Sequence, residues 1–499
     1  MPWYWGDIHN HCSVSYGQGV PSLVLAQAAE HLDFCSITGH AFWPDMPMDL
    51  TYQDDFIGMH LGGFAKLQHY WPHLTKQLAD ANQPGHFVTL PSYEWHSMAF
   101  GDHNCYFNCD DPPLVNASDP GSLDEELRTL GLAAMVLPHH IGYSRGHRGL
   151  NWDAFDAVRS PLVEIFSNHG CGEADDAYYD YYHSMGARLS NSMVRHGLTL
   201  GHRFGFIAST DSHDGYPGHY GHGRTGIFTD HLDRSSLWSS LQNRRTVAST
   251  GPRFEVDFSL DNQPLGSIVS RREQMMLCAD VVGNAPINAV ELVVGNDHGW
   301  CVRQLPVADL ISEFIPGRQK IKIELGWGFD RQRSTWHVDA SVENGHLLGV
   351  EPCFRYSGYG SERSEPREKI LVCDERHVTC ICEAIANPAG LIAGTHFNSG
   401  GTQAIVLDID ADEKTNINIV CDQYCSKNRV ADLASGSIGA SVSGFISPSV
   451  KIHRAVPERE FSFRYQQMFR PEKSDRGYIY LRFRQVDGQQ GWASPIWFE

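Results

Sequence analysis

Along the first half of the chain, short apolar runs alternate with amphipathic stretches, an order that predicts strands and helices of an α/β region. Pro21 and Ser22 open a helix expected to run to about residue 32, and the apolar run over 34–38 predicts the strand that follows it. Further strands are expected over 86–90, 104–107, 134–137, 162–166 and 205–209, and helices over 123–130 and 175–196. After Thr250, Gly251 and Pro252 the texture changes. FEVDFSL, MMLCADVV, AVELVVG, KIKIELGW, WHVDASV, TNINIVC and GYIYLRFRQV alternate like strands with Gly, Pro, Asn and Asp between them, so an all-β, sandwich-like region is predicted. Residues 351–369, rich in Pro, Gly, Ser and charge, are expected to form a long loop or joint. Two domains follow: 1–252 and 253–499.

Length and composition agree with that division. A chain of 499 residues, 41% hydrophobic and 20% charged, is too long for one ordinary core. Its formal charge of −20 repels polyphosphate backbones, and no basic run offsets it, so a small-molecule substrate is expected, with no nucleic acid and no membrane partner. The start, MPWYWGDIHNH, lacks a basic and then apolar leader, and no stretch approaches the roughly 18 apolar residues of a membrane span. Thirteen cysteines without CxxC pairs or regular spacing read as reduced small hydrophobes, which predicts a cytoplasmic protein. The sequence leaves the oligomeric state open.

Histidine changes the picture. There are 27, concentrated before residue 232, and they fall with carboxylates at the ends of the predicted N-terminal strands. Asp7, His9 and His11 follow the first; His40, Glu94, His103, His139 with His140, Glu164, and Asp211 with His213 mark later ones. In an α/β barrel the C-terminal strand ends converge on one face, so ligands distant in sequence meet there. The HNH and DSH pairs each put two side chains at spacing two, on one side of an extended segment, where they can share an ion. Either pair alone is as readily two packed residues or a capped turn; together with Glu94, His103 and the PHH of 138–140 they point to a metal centre.

Through GDIHNH, ITGH, PSYEW, GDHNCYF, LPHHIGY, VEIF and STDSH, residues 6–231 resemble the PHP family, the polymerase and histidinol phosphatase group of metal-dependent hydrolases. The end of the chain, RGYIYLRFRQVDGQQGWASPIWFE, resembles the tail of a branch in which a β-rich domain follows the PHP domain. The resemblance implies a distorted (β/α)7 barrel followed by an all-β domain, with two or three divalent ions, zinc, manganese or iron. Carried over by position, it implies that His9, His11, Glu94 and Asp211 hold one ion, that Glu94 bridges to a second held by His103 and His139, and that His40 and His213 hold a third. His140 is either a ligand in place of its neighbour or a supporting group, and Glu164 lies near the site. Ser15, Tyr16 and Gly17 stand where the family often has Ser-Asp-Gly, and Gly39 where it commonly has Asp, so the third site is weakened, rearranged or empty.

Hydrolysis by a metal-activated water then needs no nucleophilic side chain. Glu94, Asp211 and His140 are the catalytic candidates, with Asp211 or a nearby histidine taking the proton. Arg145 and Arg148 follow PHH and Arg224 follows DSH; if they face inward they read an anionic substrate, with His222 beside them and His219 a further candidate. Trp3, Trp5, Phe42, Trp43, Trp95 and Phe100 flank proposed ligands as either substrate walls or barrel packing. Gly221, Gly223 and Gly226 match GxGxxG without the strand-to-helix context a dinucleotide needs, and HExxH, P-loop and GxSxG motifs are missing. Three readings remain: a phosphoesterase acting on a small organic phosphate; a hydrolase of a carboxylic ester, lactone or amide with the same centre; and a non-catalytic glycan- or partner-binding protein on a degenerate barrel.

Overall fold

The computed structural model describes residues 2–48, 54–181, 186–356, 365–386, 401–422, 424–471 and 476–499. The N-terminal half is mixed α/β. Strand β1 (Trp3–Asp7) leads to α1 (Pro21–Ala29), β2 (Phe34–Cys35), β3 (Thr38–Phe42) and α2 (Asp54–Ala81). Then come β4 (Val88–Thr89), β5 (Ser92–Trp95), β6 (His103–Phe107), α3 (Pro120–Thr129) and β7 (Ala134–Pro138). The half ends with β8 (Leu162–Ser167), β9 (Gly170–Cys171), α4 (Val194–Thr199), β10 (Gly205–Ala208), β11 (Arg224–Phe228), α5 (Arg234–Gln242) and β12 (Thr246–Ser249).

Pro21 sets the first turn of α1, where its missing N–H costs nothing, and Asp119 caps α3 by accepting from Ser122 N at 2.9 Å. Helix α2 has no counterpart in the expected elements, because Gly58, Gly62, Gly63 and Pro72 read as breakers. What holds it is a buried stripe, Ile57, His60, Phe64, Leu67, Trp71, Leu74 and Leu78, at alternating three- and four-residue steps. The helix expected over 175–196 is not formed by its described residues, which give a 3-10 turn at Ser190–Ser192 and then α4; 182–185 lie outside the described residues. Arg188 accounts for part of this: its guanidinium donates to the carbonyls of Cys171, Tyr179 and Asp175, which keeps that segment folded onto β9.

No closed barrel is seen among the described residues. β11, β1, β2 and β4 pair side by side; β3, β5, β6 and β7 form a second sheet continuing the first across Ser36–Ile37 and Leu90–Pro91; and β10, β8 and β9 form a third. At the joins, other groups satisfy the backbone where ladder bonds would close a barrel. The Thr225 hydroxyl accepts from Ala208 N at 3.2 Å and donates to Ala208 O at 2.7 Å between β10 and β11. Val136 N donates to Arg159 O at 3.1 Å and Ser160 Oγ to Val136 O at 2.6 Å between β7 and β8.

The rest of the chain is β-rich, and every alternating segment named above falls in a strand but for end residues at Phe254, Trp327 and Val486. One sheet joins the two halves: β12 pairs antiparallel with Gln490–Ala493, which continues through Gly477–Gln485 to Ile496–Phe498. Its apolar face meets a four-stranded sheet built on Glu255–Leu260, Met275–Val282 and Ser462–Phe469, with Trp5, Val281, Leu292, Phe483 and Ile496 in a common core. A nine-stranded sheet containing Arg333–Cys353 and Gln403–Cys421 encloses a separate core. Of the stretch 351–369, the first three residues finish a strand and Lys369 begins another; 357–364 lie outside the described residues. No disulfide forms among the described residues, and no described helix is long and apolar enough to cross a membrane.

Candidate metal centre

The site begins with Asp7 at the end of β1. Its fully buried carboxylate accepts from His9 N, Thr210 N, Thr210 Oγ1 and Gly218 N at 3.2, 3.1, 2.5 and 2.8 Å, buckling the HNH and DSH loops together. The two segments then run side by side: Asp211 N donates to His9 O at 2.7 Å and His11 N to Ser212 O at 2.8 Å. Asp211 and His140 take left-handed backbone angles, φ 50° and 51°, uncommon for residues with a side chain and typical of functional turns. Asn168 Nδ2 secures the first by donating to the carbonyls of Thr210 and Asp211.

Asp211 stands at the centre. His9 Nε2 and His11 Nε2 lie 3.2 and 3.0 Å from its Oδ1, and His140 Nε2 and His169 Nε2 lie 3.2 and 3.0 Å from its Oδ2. Glu94, from β5, faces His139 Nε2 at 2.9 Å through Oε1, and His40 Nδ1 and His11 Nε2 at 2.7 and 3.5 Å through Oε2. Behind the first pair, Glu164 Oε2 lies 2.9 Å from His9 Nδ1, which directs His9 Nε2 at Asp211.

Among the described residues, five overlapping groups bring ligand atoms within 4.8 Å of one another: His9–His11–Asp211, His140–His169–Asp211, His11–His40–His213, His40–Glu94–His96 and Glu94–Asp102–His139–His140. Whether these residues suit an ion can be judged from polar atoms that the protein leaves unserved. His9 Nε2, Glu94 Oε2 and Asp211 Oδ2 are buried without a hydrogen-bond partner although polar neighbours approach each within 3.5 Å. Lone pairs that converge without a proton between them are what a cation resolves. Charge says the same: Asp7, Glu94, Asp102, Glu164, Asp211 and Asp214 are all at most 5% exposed. Burial pushes Glu164 well above the usual carboxylate range, Asp211, Asp7 and Glu94 adding to it, and raises Asp214 to about 7. The same burial is outweighed at Glu94 by His96, His40 and His139, and at Asp211 by His9, His169 and His140, which hold both carboxyls well below their ordinary value. The buried His/Asp/Glu cluster fits a metal site.

Of the residues singled out in the sequence, His9, His11, His40, Glu94, His139, His140, Asp211 and His213 meet here. His103 stands apart from the five groups. Its Nδ1 donates to Gly101 O at 2.9 Å, its ring packs on Trp95, and burial lowers it to about 3. Arg148 reaches the cluster through Asp102 and His96, with its guanidinium 4.9 Å from the Trp43 ring. Arg145 is exposed and pairs with Asp153 at 2.5 Å. Arg224 is buried and donates twice to Gly218 O. His222 stacks on His219 at 3.7 Å, and His219 Nδ1 accepts from Tyr356 N at the seam with the β-rich half. Trp3 and Phe228 pack at 5.1 Å, Trp5 joins the core of the inter-half sheet, Trp95 donates to Ala117 O, and Phe42 and Phe100 pack in the core around Tyr93, so these aromatics are packing, while Trp43 lies against the Arg148 guanidinium.

His169, His96, Asp102 and Tyr16 were not among the candidates. His169 lies in the turn just past β8, where the strand-end rule points; His96 repeats the spacing of two after Glu94; Asp102 adjoins His103. The Tyr16 ring, stacked on His40 at 3.6 Å, could be found only in three dimensions.

No family model matches the chain. Uncharacterized proteins of Chlamydia muridarum and Chlamydia trachomatis serovar D are 26% and 27% identical over 166 residues, 30% of this chain and 27% of each of those. One of Chlamydia pneumoniae is 23% identical over 252 residues, 45% of this chain and 39% of that one. The chain thus spans under half the length of these curated relatives. Among solved structures, Endonuclease Q complexed with a 27-mer duplex substrate bearing an abasic lesion aligns over 48% of this chain and 57% of that one, at TM-score 0.30 and 10% identity, too slight a likeness to bear on function.

Proposed function

We propose that this chain is a PHP-type metal-dependent hydrolase acting on a small organic phosphoester, with its site in residues 1–252 and the β-rich residues 253–499 seated against it. The observation that carries the reading is Asp211, whose two oxygens each face a separate histidine pair, His9 with His11 and His140 with His169. Divalent ions held there, Zn, Mn or Fe, supply Lewis acidity and lower the pKa of water enough for attack at neutral pH.

The chain's own groups do the rest. Asp211 sets the spacing of the two sites, a part the resemblance gave to Glu94. Glu94, fixed by His139 on one oxygen and 3.5 Å from His11 through the other, takes the proton. Glu164 fixes the His9 tautomer, Trp43 walls the pocket, and Arg148 supplies positive charge beside it. A carboxylic ester, lactone or amide is the second reading, favoured by the placement of Arg145 at the surface and Arg224 at the inter-half seam, which leaves Arg148 as the guanidinium beside the site.

Metal analysis of the purified protein, with hydrolysis of paired aryl phosphates and aryl carboxylates, decides. Bound ions and faster phosphate cleavage are expected, with Asp211→Asn losing metal and turnover together. Fewer than one ion per chain and no turnover with added Zn²⁺, Mn²⁺ or Fe²⁺ would overturn the hydrolase reading; faster carboxylate cleavage would overturn the choice of phosphorus.

A further inference from the structure

We infer that the seam between the two halves holds a binding site for a phosphate dianion, gripped by the Arg224 and Arg253 guanidiniums and separate from the metal centre. The inference goes beyond the hydrolase reading and does not rest on it.

Arg224 opens β11 and is wholly buried. Its Nε and Nη2 donate to one acceptor, Gly218 O, at 2.9 and 2.6 Å, while Nη1 is buried with no hydrogen-bond partner. Arg253, just past β12, is served in the same sparse way: Nη2 donates to His31 O at 2.6 Å and Nε is buried without a partner. Among the described residues neither guanidinium is in ion-pair contact with a carboxylate. The two also act on each other. Burial lowers Arg224 below the ordinary arginine value and the charge of Arg253 lowers it further. Glu351, which offsets part of this, already accepts from Arg253 N at 2.9 Å and Asn284 Nδ2 at 3.0 Å.

More positive charge gathers around the pair. Arg224, Arg355 and Lys322, from both halves of the chain, lie 5.5, 5.4 and 5.7 Å from the Tyr220 ring. Arg355 donates to the carbonyls of Tyr220 and Thr402 and to Thr402 Oγ1, and Lys322 stands 3.9 Å from Asp487. The neighbouring imidazoles register the field. Burial lowers His31 to about 3, with Arg224 and then Arg253 adding to it, and lowers His219 well below its ordinary value, with Arg355 and then Arg224 adding. In a chain of formal charge −20 this is a local reversal of sign.

A buried guanidinium without a counter-charge is costly, and buried N–H groups left unbonded add to the cost. A water would serve the N–H groups and leave the charge unopposed. A phosphate dianion answers both, because its oxygens accept from the forked N–H groups of a guanidinium and its charge offsets the repulsion between the two. Arg253 is half-buried, which gives the site an approach from solvent. A Cβ on Gly221 would meet nothing within 4 Å, so the turn that follows Tyr220 leaves open space.

Isothermal titration of the full chain with inorganic phosphate tests this, at about pH 8, where phosphate is mostly doubly charged, with chloride holding the ionic strength constant. One saturable site per chain with a Kd below about 1 mM is expected, and acetate, with a single charge, should bind about tenfold more weakly. Arg253→Gln should weaken phosphate about tenfold, as the loss of one charge-assisted contact implies, and Arg224→Met should do the same. Asp211→Asn, which disables the metal centre, should bind phosphate as the unaltered protein does. Absence of saturable binding, or an unchanged Kd in Arg253→Gln, overturns the inference while the hydrolase reading stands. Equal affinity for acetate overturns the choice of a dianion, and loss of binding in Asp211→Asn places the phosphate on the metal centre instead. If Arg224→Met does not fold, Arg253→Gln and Asp211→Asn still decide.

Discussion

Glu164→Gln isolates the support behind one metal position without touching a proposed ligand. Glu164 lies on β8, is 5% exposed, and places Oε2 2.9 Å from His9 Nδ1. Burial favours the neutral Glu164 carboxyl, and an ion held by His9 would favour the ionised form; in that form a buried hydrogen bond to a charged group contributes about 1.5–3 kcal/mol against about 0.5–1.5 for a neutral pair, so the amide forfeits roughly 1–1.5 kcal/mol of the interaction that orients His9. At about 1.4 kcal/mol per tenfold, that is roughly a tenfold weaker ion at the His9–His11–Asp211 position, the low end of the 10–100-fold typical for groups supporting a metal-bound histidine. His140 and His169 face Asp211 Oδ2, on the side away from the oxygen that His9 and His11 face, so the second ion should keep its affinity. Competition of the stripped protein against a chromophoric chelator for Zn²⁺ reads both constants. Affinities within about threefold of the unaltered protein would refute the orienting role, and an equal loss at both positions would show that Glu164 acts through its charge on the whole cluster.

Glu173 offers a test of how the two halves hold together. It is fully buried and accepts from Tyr480 Oη at 2.6 Å, Trp492 Nε1 at 2.9 Å, Arg482 Nη1 at 3.0 Å and Arg195 Nη2 at 3.2 Å. Breaking a buried pair costs about 3–5 kcal/mol, and because Arg195 keeps Asp176 and Arg482 keeps Glu291, Glu173→Gln should lose about 2–3 kcal/mol in urea unfolding. A loss under about 1 kcal/mol would refute it. His31 supplies a pH dependence: burial, with Arg224 adding to it, lowers it to about 3 while its Nε2 donates to Pro217 O. The folded chain keeps it neutral and the unfolded chain protonates it below about 6.5, so its stabilisation is present above that pH and lost as the pH falls towards 3. Between pH 7 and 5.5 the unaltered protein should lose about 1.3 kcal/mol more than His31→Gln does, and equal losses would refute the assignment.

Much of this protein is written locally. The β-rich second half follows from period-two alternation in segments such as MMLCADVV, and the placement of His9, His11, Glu94, His139, His140 and Asp211 follows from one rule, that ligands gather where strands end. Helix α2 was hidden because three glycines and a proline outvote a buried stripe when propensity is judged residue by residue, although the stripe is what packing rewards. The tertiary structure alone decided which strand-end residues share an oxygen. That depends on the buckle at Asp7, on the left-handed turns at Asp211 and His140, and on the pairing of 9–11 with 211–212, all contacts between residues far apart in the chain. It brought in His169 and His96, turned His103 to a backbone carbonyl, and sent Arg224 and His222 to the seam with the β-rich half. Residue types and spacing point to a metal site, because ligand chemistry is local; which atoms could share an ion is fixed by the turns and strand pairings that bring distant residues together.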